Sequence, residues 1–215
     1  MDLSSEVAGP FRWDLVTPDQ LGSLLAGVAA PDLWFLDALV GCAGKVVARS
    51  GGGDLVFVGR SFDSMFDFLG GAFAGLPEPR WLGRLPLSFA RTSWAGGRWV
   101  TRALTADDLA RARGFLSVLG VTPDSLARRS RPVTFVDMVW EGSTFTYVFE
   151  LVRGWVADER GSWAVVRRRL RFVGVTMRTK TWRWQRHASQ PWLRTLTGAG
   201  RSTTHRTQSE LHPPG

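Results

Sequence analysis

Short, almost wholly apolar runs alternate along this chain with stretches whose apolar residues recur at helical spacing. Leu55-Val-Phe-Val58, Val133-Thr-Phe-Val136 and Leu170 to Val175 (LRFVGV) are the clearest of the runs. A strand that is buried on both faces reads as continuous apolar sequence, whereas a strand wetted on one face alternates. Amphipathic helices between such strands predict an α/β domain built on a mostly parallel sheet, with helices on both faces. Leu85 to Arg91 (LPLSFAR) and Val165-Val166 read as further strands, giving a sheet of about five.

The helical segments carry their own punctuation. Thr17-Pro18-Asp19-Gln20 is a capping box with Pro at the first helical position, and Leu21, Leu24, Leu25 and Val28 follow on one face. A second helical piece spans about residues 32 to 42, before Gly51-Gly52-Gly53 breaks the chain. Phe62, Met65, Phe66 and Leu69 form another helical face, with Gly70-Gly71 as its stop. Trp94 to Arg102 reads as a loop or hairpin with a basic rim. Thr105 to Asp108 caps a helix that turns Leu109, Ala112, Leu116 and Leu119 inward, Thr122-Pro123-Asp124 starts a short one, and Thr144 to Val152 forms the next.

With 215 residues, 44% of them apolar, the chain can bury the core of one α/β domain. The expected organisation is a single domain over 1–190, helical in 1–50 and with its core sheet in 51–176, followed by a basic, disordered tail over 191–215. The lone Cys42 excludes an internal disulfide and a Cys-based zinc site, and His187, His205 and His212 are too scattered for a metal cluster. No run reaches the roughly 18 apolar residues of a membrane span. The opening MDLSSEVAG is polar and acidic, unlike a secretory signal, so a cytoplasmic protein is expected. The net charge of +8 comes from 27 basic and 19 acidic residues, with Arg densest after Arg153. Such an excess implies an anionic partner: a nucleotide's phosphates, nucleic acid or an acidic protein face.

In a parallel sheet, ligands bind outside the carboxyl ends of the strands. Two loops fall there: Gly59-Arg60-Ser61, and Asp137 to Thr144. In the second, Gly142 lets the backbone approach a ligand, Ser143 and Thr144 offer hydroxyls, and the following helix directs N–H groups and its positive dipole end to the same point. These features suit a phosphate. Asp137, at the strand end, suits ribose hydroxyls or a magnesium ion. An ordinary strand-to-helix turn capped by Ser or Thr explains the same residues equally well, as a helix start capped by Ser61 explains the first loop.

The run Val133-Thr-Phe-Val-Asp137-Met-Val-Trp-Glu-Gly142-Ser-Thr144 resembles the phosphate loop of type I phosphoribosyltransferases. There an apolar strand leads through acidic residues and a short variable stretch into Gly-x-Thr. The resemblance covers roughly residues 50 to 175. It implies that Glu141, Gly142, Ser143, Thr144 and Phe145 cradle the 5′-phosphate of phosphoribosyl pyrophosphate. It also implies that Asp137 touches ribose or magnesium, and that Asp137 and Glu141 are the catalytic carboxylates. Gly59, Arg60 and Ser61 resemble the pyrophosphate loop, and Arg98 and Arg102 fall where the family carries a flexible loop that closes over the reaction. Trp182 and Trp184 correspond to a region that supplies a base-stacking aromatic in some members. The chain departs from the pattern in two places: Val136 stands at the first acidic position, and Trp140 where several members place a carboxylate.

Three functions therefore remain. One is a phosphoribosyltransferase, in which a nitrogenous base displaces pyrophosphate with magnesium assistance. The second is a catalytically silent nucleotide sensor or accessory subunit; a homodimer is compatible with either. The third is a nucleic-acid-binding protein that uses Arg167-Arg-Arg169, Arg171 and the Arg-Trp mixture of Arg178 to Arg186. The signatures of P-loop, dinucleotide, serine-hydrolase and zinc-protease sites are absent.

Overall fold

The computed structural model describes residues 34–87, 92–101, 104–139 and 143–176. The expected helix at Thr17 and the tail lie outside them. The described chain runs α1 (Leu36–Arg49), β1 (Asp54–Val58), α2 (Asp63–Ala74), β2 (Leu82–Leu85), β3 (Thr92–Ala95), β4 (Arg98–Thr101), α3 (Ala106–Val118), α4 (Pro123–Arg128), β5 (Val133–Met138), α5 (Ser143–Asp158), α6 (Trp163–Arg167) and β6 (Leu170–Val175). Four of the strands form one parallel sheet in the order β2-β1-β5-β6, while β3 and β4 make a separate antiparallel hairpin.

The sheet is covered on both sides because its central strands are apolar on both sides. Every residue of β1 is buried. Leu55 and Phe57, with Val136 of β5, pack under Val46 of α1 and Met65 and Leu69 of α2. Val56, Val58, Val133 and Phe135 face the other way, against Leu116 of α3, Leu126 of α4 and the buried row Phe145, Val148 and Val152 of α5. Phe172 of β6 closes this second core, stacked on Phe135 with ring centroids 5.6 Å apart. Burying a side chain of this size contributes on the order of 1.5–3 kcal/mol. This two-sided burial leaves little freedom of strand register.

The hairpin turns through Gly96 and Gly97, whose φ values of 58° and 75° are those of the tight turn matched to strand twist. Both α3 and α4 are capped reciprocally: Thr105 with Asp108, and Thr122 with Ser125.

Several expectations need correcting. Among the described residues the sheet has four strands, not five. Val165 and Val166 lie in α6, where Val166 is buried against the α5 side of the core. Burial of one side chain on a single turn outweighs the β preference of two adjacent Val residues. The second strand is Leu82–Leu85, which Pro86 and Leu87 leave, while 88–91 of the expected strand lie outside the described residues. Its Gly83 looks like a turn residue, yet the Trp81 ring occupies the space a Cβ would take, so the aromatic folds over the strand only because Gly is there. Glycines also failed to end helices. α1 passes Gly41 and Gly44 to bury Val46, and α2 passes Gly70-Gly71 to bury Phe73. A helical Gly costs about 1 kcal/mol, less than such a side chain gains.

Two arginines tie distant segments together. Arg171 lies on the opposite face of β6 from Leu170 and Phe172, as alternation predicts, but it is half-buried. Its guanidinium crosses Gly51 and donates to the Ser50 carbonyl at 3.1 Å, at the negative end of the α1 dipole. Arg129 pairs with Asp54 at 2.6 Å, donates to the Gly120 carbonyl at 3.2 Å and sits over the Trp81 ring at 5.4 Å.

Candidate functional site

The strand order creates the site. From β1 the chain moves to one side to form β2, then returns to the other side of β1 to form β5. The helix after β1 covers one face of the sheet and the helix after β5 covers the other. The loops leaving these neighbouring strands therefore diverge, at the place where sheets of this kind form a ligand crevice. Phe57 pairs with Val136, so Gly59 and Met138 stand level two residues further on, on strands about 4.8 Å apart.

The first loop starts at Gly59, whose φ of +70° is a left-handed conformation that disfavours side chains. A Cβ here would meet only the Leu87 carbonyl, at 3.9 Å, so the backbone conformation rather than crowding calls for Gly. Its N–H donates to the Leu85 carbonyl at 2.9 Å, fixing the loop to the end of β2. Arg60 and Ser61 are exposed, and among the described residues Arg60 meets no carboxylate. α2 then begins at Asp63, held by Arg84 of β2 at 3.5 Å.

Asp137 bonds to residues on both sides of the second loop. This residue belongs to β5 rather than to the loop, and alternation with Phe135 and Val139 turns it toward the α5 face. It is only 8% exposed. Its Oδ1 accepts the Met138 N–H at 2.7 Å, and its carboxyl is hydrogen-bonded to the Thr144 side chain in the first turn of α5. Burial pushes its pKa up to about 6, outweighing the two hydrogen bonds, which favour the ionised form. Ser143 is exposed at the start of α5, Thr144 is half-buried, and Phe145 is fully buried against Phe172, with ring centroids 5.2 Å apart. Phe145 can therefore offer a ligand only its backbone.

Gly174 of β6, paired with Asp137, is part of this site and was not singled out in the sequence. A Cβ there would lie 2.5 Å from Val139 Cγ2, so Gly lets β6 pass beneath the turn out of β5. A single Gly inside an apolar strand signals close approach in general, without naming the neighbour.

The fold thus brings Gly59, Arg60, Ser61, Asp137, Ser143 and Thr144 to one edge. Glu141, Gly142, Arg102, Trp182 and Trp184 lie outside the described residues, as does the side chain of Arg98, whose backbone stands in β4. Among the described residues no group of three or more His, Cys, Asp or Glu could hold a metal ion. Among the described residues of the two loops, this edge carries one carboxylate, that of Asp137. No described helix is long and apolar enough to cross a membrane. Comparison with known protein families, curated proteins and solved structures gave no match.

Proposed function

We propose that this chain is a phosphoribosyltransferase-like protein that binds phosphoribosyl pyrophosphate or a nucleoside monophosphate at the switch point. The observation that carries the reading is the placement of the two loops. Gly59-Arg60-Ser61 and the Asp137–Thr144 turn leave adjacent parallel strands toward opposite faces, with a helix start on each side of the crevice. The 5′-phosphate would lie at the start of α5, against the Ser143 and Thr144 hydroxyls and the backbone from Glu141 to Phe145. Arg60 would meet the pyrophosphate, together with ligand-borne magnesium and, from the hairpin side, Arg98 and Arg102. In an active enzyme a base nitrogen would bond to the anomeric carbon as the carbon–oxygen bond to pyrophosphate breaks. Positioning and charge stabilisation would supply most of the rate.

One observation favours the second reading, a silent nucleotide-binding member. The Asp137 carboxyl is buried and already bonded to Met138 and Thr144. It shapes the phosphate turn, and that role needs no chemistry from it. The experiment is thermal unfolding with millimolar phosphoribosyl pyrophosphate and magnesium. A rise in melting temperature is expected, reduced by Thr144→Ala and by Arg60→Gln. No rise in folded protein would sink the binding reading. Pyrophosphate release across a panel of nitrogenous bases then separates transferase from sensor.

A further inference from the structure

The opposite edge of the sheet, where the strands begin, carries positive charge that no carboxylate among the described residues neutralises. Two of its arginines are spoken for: Arg129 by Asp54, and Arg131 by Glu78 at 2.7 Å. Among the described residues four others meet no carboxylate, only neutral groups. Arg80 reaches the Ser50 hydroxyl at 3.5 Å, Arg171 the Ser50 carbonyl at 3.1 Å, Arg169 the Ser130 carbonyl at 3.0 Å, and Arg168 the Ala164 carbonyl at 3.1 Å. A guanidinium carries five N–H donors, so each of these is held in position with donors to spare.

The topology sets the four along one edge of the sheet, with the Arg80 and Arg171 guanidiniums together at Ser50. Arg80 precedes β2 at one side of the sheet, Arg171 reaches over the loop before β1, and Arg168 and Arg169 precede β6 at the other side. Four strands span three intervals of about 4.8 Å, roughly 14 Å in all. An edge of this length meets more than one phosphate of a polynucleotide strand, so several guanidiniums can be engaged at once.

We propose that this edge is a docking surface for the phosphate backbone of a nucleic acid. An acidic protein fits less well, because protein interfaces are built around an apolar centre, and this edge is made of guanidinium, hydroxyl and carbonyl groups. Nucleic-acid interfaces are polar and strongly positive. The surface is separate from the switch-point crevice and does not depend on what binds there.

The test is fluorescence anisotropy of a labelled 20-nucleotide single-stranded DNA on the full chain, over a series of salt concentrations. Arg80→Gln/Arg169→Gln is compared with Arg111→Gln/Arg153→Gln, which removes equal charge from exposed positions of α3 and α5. The edge pair is expected to weaken binding about tenfold at low salt and to lower the log–log salt slope by about 1.4, from 0.7 per lost phosphate contact. The control pair should change the slope by much less. Circular dichroism and thermal melting report whether each variant is folded. Absent binding, equal effects of the two pairs, or equal competition by polyglutamate would each overturn the proposal.

Discussion

Asp137 sets the chemical character of the crevice, and its burial makes a testable demand. An acid whose folded pKa is raised folds best while it is protonated. Its contribution is intact below its ordinary value of 3.8 and is lost as pH rises through about 6. Holding the ionised form buried at neutral pH therefore costs the fold about 3 kcal/mol. Asp137→Asn keeps an acceptor for the Met138 N–H and never ionises. Urea unfolding should show this variant gaining stability over the parent between pH 4 and pH 7, by about 2–3 kcal/mol. A difference that stays constant with pH would contradict the buried-acid description. At this scale much of the site was readable. Asp137 ends an apolar run, and Ser143 and Thr144 open an amphipathic helix. The bond between Asp137 and Thr144 was not readable, because side-chain direction at a strand end depends on register.

Between elements, the stabilising contacts are those that periodicity cannot show. The strand runs and the Thr caps announce themselves locally, through continuous apolar sequence and through Thr-x-x-Asp or Thr-Pro spacing. The Arg129–Asp54 pair joins residues 75 apart, and Arg171 reaches a carbonyl 121 residues away. In the sequence each is one of many arginines. Asp54 is buried at the start of β1, so removing its partner strands a charge. Arg129→Leu should destabilise the fold by about 3 kcal/mol, and Asp54→Asn added to it should recover more than half, because the costly group is then gone. Chemical denaturation of the two variants measures this, and equal loss in both would show that the pair acts only through packing. Arg171→Met tests the other clamp. It loses a charge-assisted hydrogen bond at the α1 terminus and should cost about 1.5–3 kcal/mol.

For the molecule as a whole, the order β2-β1-β5-β6 sets two loops far apart in sequence side by side at a switch point. The parallel α/β class followed from the alternation of runs and helices, whereas the strand count did not, since one turn of helix can hide in two Val residues. If a phosphorylated ligand fills the crevice, it must bind across β1 and β5 at once and stabilise the sheet as a unit. At a concentration one hundred times its dissociation constant, a ligand that binds only the folded state adds about 2.7 kcal/mol. For a domain of 150–250 residues each kcal/mol raises the melting temperature by about 2–4 °C, so a rise of about 5–10 °C is expected. Gly59→Ala should remove most of this rise while leaving both cores untouched, because it strains only a backbone turn with φ of +70°. Its own destabilisation should be about 1–2 kcal/mol, the cost of holding one L-residue left-handed. Ligand titrations followed by differential scanning fluorimetry on parent and variant give both quantities. A variant that kept the full shift would place the ligand away from the β1 loop, and the switch-point assignment would fail with it.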